Sequence, residues 1–103
     1  MTEIKLVLDE KRHGFFNLYE NDTKIGEMVI SVTDTVLTVY HTEIDPSAEG
    51  KGYAKVLLDH LVNYSREHNL MVRPLCPYVH AQFKKHPELY TMLEVMFGRK
   101  NSK

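Results

Sequence analysis

His41-Thr42-Glu43-Ile44-Asp45-Pro46-Ser47-Ala48-Glu49-Gly50-Lys51-Gly52-Tyr53-Ala54 is the stretch that decides the fold. It reads as the end of a strand, a tight Gly-x-Gly turn and the first turn of a helix. The opening N–H groups of a helix have no intrahelical acceptor, and the helix dipole adds partial positive charge at the same end. Together they suit a phosphate or pyrophosphate. A Cβ at Gly50 or Gly52 would hold a bulky phosphate away from the backbone. Substituting Gly52 by Val is therefore expected to weaken anion binding with little effect on the fold.

Upstream of this stretch the chain reads as strands. Ile4, Leu6 and Leu8 alternate with Lys5 and Asp9, and Glu10 to Gly14 forms a turn into Phe15 to Tyr19. Asn21-Asp22 is a hairpin turn before Ile25 to Val32, and Asp34 breaks the chain before Val36 to Ile44. Four strands with short connections predict an antiparallel meander. Downstream the period changes. Ala54, Leu57, Leu58, Leu61 and Ser65 mark one face of a helix running to about His68, and Asn69 is its stop signal. Leu70 to Leu75 reads as a fifth strand. A strand, helix, strand connection is a right-handed crossover, so the fifth strand should run parallel to the fourth. Tyr78 to Lys85 is a short helix, and Pro87 opens a last one carrying Leu89, Tyr90, Leu93, Met96 and Phe97. The expected class is α/β: a mostly antiparallel mixed sheet with one parallel pair, and a helix crossover after the Gly-x-Gly turn.

A chain of 103 residues predicts a single domain, 1–103. Its 43% hydrophobic and 26% charged composition is that of an ordinary globular protein, and a net charge of -1 gives no case for nucleic-acid or anionic-membrane binding. One cysteine precludes an internal disulfide, and no apolar run reaches membrane-spanning length, so the expected location is cytoplasmic. The six histidines show no i, i+4 pair, so no metal site is expected.

The strand, Pro46, Gly50-Lys51-Gly52-Tyr53-Ala54, the amphipathic helix and the fifth strand resemble the acetyl-CoA motif of the GNAT superfamily of N-acyltransferases. Within it, His41-Thr42-Glu43, Gly50-x-Gly52-x-Ala54 and Arg73-Pro74-Leu75-Cys76-Pro77-Tyr78 resemble a subfamily of very small GNAT-like proteins. The resemblance implies an N-acetyltransferase that uses acetyl-CoA. It makes the backbone from Glu49 to Ala54 the pyrophosphate cradle, with the main chain of Glu43, Ile44 and Asp45 pairing with the pantetheine arm. Ser47 and Glu49 depart from the Gln or Arg and the Arg usual before the turn, so Lys51 and Lys55 would supply countercharge. Tyr78 would donate a proton to the leaving CoA thiolate. Larger members carry helices between the first two strands. Here that link is only Glu10 to Gly14, which predicts an open acceptor side.

Cys76 falls at the carboxyl end of the fifth strand, beside the fourth, where α/β folds hold ligands. In the family fold that edge faces the acyl thioester. A thiol needs a base or positive group to act as nucleophile, and His41, near the end of the fourth strand, is the expected partner. Glu43, two residues on, should share a sheet face with His41 and either orient it or act as base. A bulge in this strand would shift that parity. Two routes stay open: direct attack by an amine after His41 or Glu43 takes its proton, or transfer through Cys76. The partners implied are acetyl-CoA and an unidentified primary amine, with a monomer or weak homodimer. The rival is a non-catalytic acyl-CoA-binding module or sensor.

Overall fold

The period-two pattern of the first half becomes a meander. In the computed structural model, which describes residues 2–90, β1 (Thr2–Leu8), β2 (His13–Glu20), β3 (Thr23–Val32) and β4 (Val36–Ile44) pair antiparallel in order. The β2–β3 hairpin turns on Asn21 and Asp22 at φ 50° and 74°. Both angles lie in the left-handed region that a two-residue hairpin demands and that Asn and Asp tolerate. Between β1 and β2 the Asp9 carboxylate accepts from Lys11 N at 2.8 Å and His13 N at 3.0 Å, closing a short turn. It also lets β2 begin at His13, two residues before the apolar pattern starts.

After β4 come a 3-10 turn (Pro46–Ala48), α1 (Tyr53–Glu67), β5 (Met71–Pro74), α2 (Pro77–Lys85) and α3 (Pro87–Tyr90). The sheet order is β1-β2-β3-β4-β5, and β5 runs parallel to β4. The mixed sheet with one parallel pair and a helical crossover is the architecture the sequence predicts. Asn69 follows α1 at φ 56°, the left-handed exit expected of a stop residue. Pro77 starts α2 as well as following β5, because its missing N–H costs nothing at a helix start. Tyr90 is buried and stacks on Phe83 at 4.6 Å between centroids. Leu93, Met96 and Phe97, expected on the same helix, lie outside the described residues.

One face of the sheet is apolar and covered. Phe16, Met28, Ile30, Leu37 and Val39 are fully or almost fully buried there with Leu57, Leu58 and Leu61 of α1 and Val79 and Phe83 of α2. Burying each such side chain contributes roughly 1.5–3 kcal/mol. Phe16 packs edge-on against His60 and Tyr64 of α1, at 4.9 and 5.4 Å between ring centroids. The opposite face carries Phe15 and Tyr40, 37% and 44% exposed, with the Tyr40 hydroxyl 2.8 Å from Ser31 Oγ.

A bulge in β4 fixes what lies on which face. Ile30 pairs with Val39 and Val29 with His41, leaving Tyr40 as the extra residue. Without it, alternation from the buried Val39 would bring His41 and Glu43 to the covered face. With it, Thr42 and Ile44 take those places and His41 and Glu43 turn to the other side. Beyond the same point β4 and β5 part. Their pairing ends at Val39–Pro74, and Val39 O receives both Leu75 N at 3.0 Å and Cys76 N at 2.9 Å. The rest of β4, Tyr40 to Ile44, has no β5 partner along that edge.

Candidate functional site

The Gly-x-Gly turn has the backbone its composition implies. Gly50 and Gly52 adopt φ 83° and 82°, and a Cβ built at either would meet nothing within 4 Å. The space is open, as a close-approaching ligand requires. The expectation that Val at 52 spares the fold needs correction, because a β-branched side chain at that positive φ is strained whatever the room. Val56 N is the first of the helix to find an acceptor, Gly52 O at 3.3 Å. The N–H groups of Tyr53, Ala54 and Lys55 thus point out of the start of α1. Outward donors, empty space at two glycines and a helix N-terminus fit a pyrophosphate. Glu49, which lines the same space, adds an unfavourable charge beside it.

A cavity of about 330 Å³ opens from this turn. Ala48, Glu49, Gly50, Gly52, Tyr53 and Ala54 line it from the turns and the start of α1, Thr42 and Ile44 from β4, and Tyr78 from α2. Tyr53 is fixed by donating to the Glu20 carboxylate at 2.8 Å, a bond that raises its phenol pKa above 10. Tyr78 is also raised, chiefly by burial, with Lys55 opposing, so it is a protonated donor at neutral pH. Lys55 itself is bound to Asp59, at 3.0 and 3.1 Å, along the helix. That pair raises its pKa and commits its charge, leaving the exposed Lys51 as the cation of the turn with no such tie.

The other expected residues divide between two faces. Cys76 is 2% exposed at the N-cap of α2, with Sγ 3.2 Å from Thr42 Oγ1. His41 sits with Glu43 on the opposite face, Nε2 to Oε1 3.7 Å, the two side chains 58% and 67% exposed. The Cys76–His41 pair expected from a regular strand is therefore not what the structure brings together. The Tyr40 bulge puts Thr42 in the place of His41. Glu43 and Asp45 line a second cleft of about 260 Å³ with Lys24, Gly26, Glu27 and Pro46. Asp45 is engaged locally: its N–H donates to Ile25 O at 2.8 Å and its carboxylate accepts from Ser47 N and Oγ at 2.9 and 2.7 Å, which lowers its pKa. Its main-chain N–H, within the stretch expected to pair with the pantetheine arm, is thus directed to β3. Thr42, Ala48 and Glu20 were not anticipated. Thr42 stood within the quoted motif, but only the bulge reveals which way it turns.

An open helix start with outward N–H groups, beside the gap where two parallel strands part, gives this α/β domain a cavity between α1 and β4. A family model, GCN5-related N-acetyl-transferase, matches residues 15–93. The chain belongs to this family, whose members transfer acetyl groups from acetyl-CoA. Its fold resembles ribosomal-protein-alanine N-acetyltransferase from Brucella melitensis biovar Abortus 2308, at 17% identity and TM-score 0.60, over 91% of this chain and 72% of that one. It also resembles the Escherichia coli ribosomal-protein-S18-alanine N-acetyltransferase, at 18% identity and TM-score 0.62, over 79% of this chain and 54% of that one. N-acetylglutamate synthase from Neisseria gonorrhoeae, solved with coenzyme A and N-acetyl-glutamate, matches at 17% identity and TM-score 0.57, over 70% of this chain and 18% of that one. The chain thus spans about half the length of the second structure and a fifth of the third. No curated protein matches it in sequence. Among the described residues, no helix is long and apolar enough to cross a membrane.

Proposed function

We propose that this protein transfers the acetyl group of acetyl-CoA to a primary amine. The observation that carries the reading is the cavity running from the unpaired N–H groups of α1 to the gap where β4 leaves β5. The cradle at Glu49 to Ala54 would hold the pyrophosphate, and the free edge of β4 near Ile44 would take the pantetheine arm in the manner of an added strand. The thioester would then lie beside Thr42, Cys76 and Tyr78. Cys76 receives the acetyl group and passes it on. The amine arrives from the open face, gives its proton to the His41–Glu43 pair, and bonds to the acetyl carbon as the bond to the Cys76 sulfur breaks. Tyr78 would protonate the Cys76 sulfur as the amine displaces it.

The short β1–β2 link favours one other reading. It leaves the acceptor side without covering helices, as suits an acyl-CoA-binding module that performs no transfer. One screen separates the two: a panel of polyamines, amino acids and peptide amines, read by release of free CoA thiol and by the mass of acetylated product. Amine-dependent CoA release supports the transferase. Acetyl-CoA binding with no release for any amine overturns it and leaves the module. Within the transferase reading, acetyl transfer at full rate by Cys76→Ala would remove the covalent step and leave direct attack.

A further inference from the structure

The bulge turns His41 away from Cys76 and gives the thiol a hydroxyl neighbour. Thr42 Oγ1 is 3.2 Å from Cys76 Sγ, and the same threonine lines the cavity of the glycine turn. One side chain therefore touches both the buried sulfur and the space proposed for the thioester. A hydroxyl donates and accepts at once, so it can take a proton on one side while releasing its own on the other.

We infer that Thr42 relays the proton during transfer of the acetyl group to Cys76, a step that rests on the covalent reading above. The Cys76 sulfur bonds to the acetyl carbon while the bond from that carbon to the CoA sulfur breaks. The thiol proton passes to Thr42 Oγ1, and the proton already on that hydroxyl passes to the departing CoA sulfur. One thiol and one thioester enter and one of each leave, so the step consumes no oxidant, reductant or net base. A strong base is needed where a proton must be stored between steps. In exchange between two thiols the hydroxyl serves as the base for one sulfur and the acid for the other in a single concerted movement, so no charge is held between steps. This accounts for a thiol set beside Thr42 and away from His41, and it separates the labour: Thr42 serves the thiol exchange, and His41 with Glu43 serves the amine on the far face.

The test compares Thr42→Ser, which keeps the hydroxyl, with Thr42→Val, which keeps the shape and loses it. Protein is mixed with acetyl-CoA in the absence of amine, quenched over a time course, and acetyl-Cys76 is measured by mass. Thr42→Ser should acylate within about threefold of the parent, and Thr42→Val at least about a hundredfold more slowly, the range for losing a proton-transfer group. Acetyl-CoA affinity, read by calorimetry, should fall by far less than the acylation rate in Thr42→Val, so that the loss is in the transfer step and not in binding. A second readout needs no ligand. The chain has one cysteine, so its S–H infrared stretch is a single assignable band. The band should move in Thr42→Val and return in Thr42→Ser. Equal acylation rates for Thr42→Val and parent, or a band indifferent to the valine, overturn the relay alone. A parent that never carries acetyl on Cys76 overturns the covalent step itself, and the relay with it.

Discussion

Gly52 offers the sharpest separation of cofactor binding from folding. It stands at φ 82°, ψ 13°, immediately before α1. An L-residue with a Cβ pays about 1–2 kcal/mol to sit in that left-handed well. Alanine also restricts the unfolded chain, which returns about 0.4–1 kcal/mol. Because nothing lies within 4 Å of the added Cβ, no clash adds to the strain. Gly52→Ala should therefore lose about 1 kcal/mol and lower Tm by about 4–8 °C. Asparagine tolerates the left-handed region far better, so Gly52→Asn should melt close to the parent. Both variants place atoms where the cradle needs space, and both should bind acetyl-CoA at least about tenfold more weakly, or about 1.4 kcal/mol. Calorimetric titration with acetyl-CoA, paired with thermal melts, reads the two effects apart. The decisive protein is Gly52→Asn. If it melts like the parent and binds acetyl-CoA just as tightly, the pyrophosphate does not lie on this turn.

Leu61→Ala removes a fully buried side chain from the inner face of α1 and should cost about 2–5 kcal/mol, visible as a lower urea midpoint with an unchanged slope. A loss under half of that would mean the helix is packed less tightly than its burial indicates. His60, packed on Phe16, has its pKa lowered below 6.5, chiefly by burial, with Glu67 opposing. The folded state thus resists the proton that the unfolded state accepts near 6.5, so this contribution is complete above that pH and declines as the pH falls towards the folded-state pKa. The urea midpoint should drop on acidification from about pH 7 to about pH 5, and His60→Gln should drop less over the same span. Identical slopes for the two proteins would remove His60 as a cause.

The elements that were legible in the sequence are those whose signal is local. Alternation marks the strands because a strand buried on one face repeats every two residues. Leu57, Leu58 and Leu61 mark α1 for the equivalent reason at a helical period. Gly50 and Gly52 announce a positive φ because no other residue enters it as freely, and both have it. Asn21-Asp22 and Asn69 are read by the same logic. The start of β2 at His13 was not visible, because it depends on the Asp9 carboxylate reaching two N–H groups across a turn.

The chemistry of the site was less legible because it depends on parity, and parity is not local. Nothing in Val39-Tyr40-His41-Thr42 states that Tyr40 is extra. The bulge arises where Val39 O must serve both Leu75 N and Cys76 N from the other edge of the strand, a demand set by residues more than thirty positions away. One inserted residue exchanges the two sets of side chains. Thr42 comes to the sulfur and the cavity, and His41 and Glu43 turn to the other face, where Glu43 lines the second cleft. A motif read as His-x-Glu beside a cysteine thus becomes, in space, a hydroxyl beside a thiol, with an imidazole and a carboxylate one strand's thickness away. In the proposed mechanism, the free edge of β4 past Val39 is the route by which those two groups would act on one acetyl carbon. A substitution that restored regular pairing there would exchange the two faces again, and with them the assignment of which residues serve the thioester and which the amine.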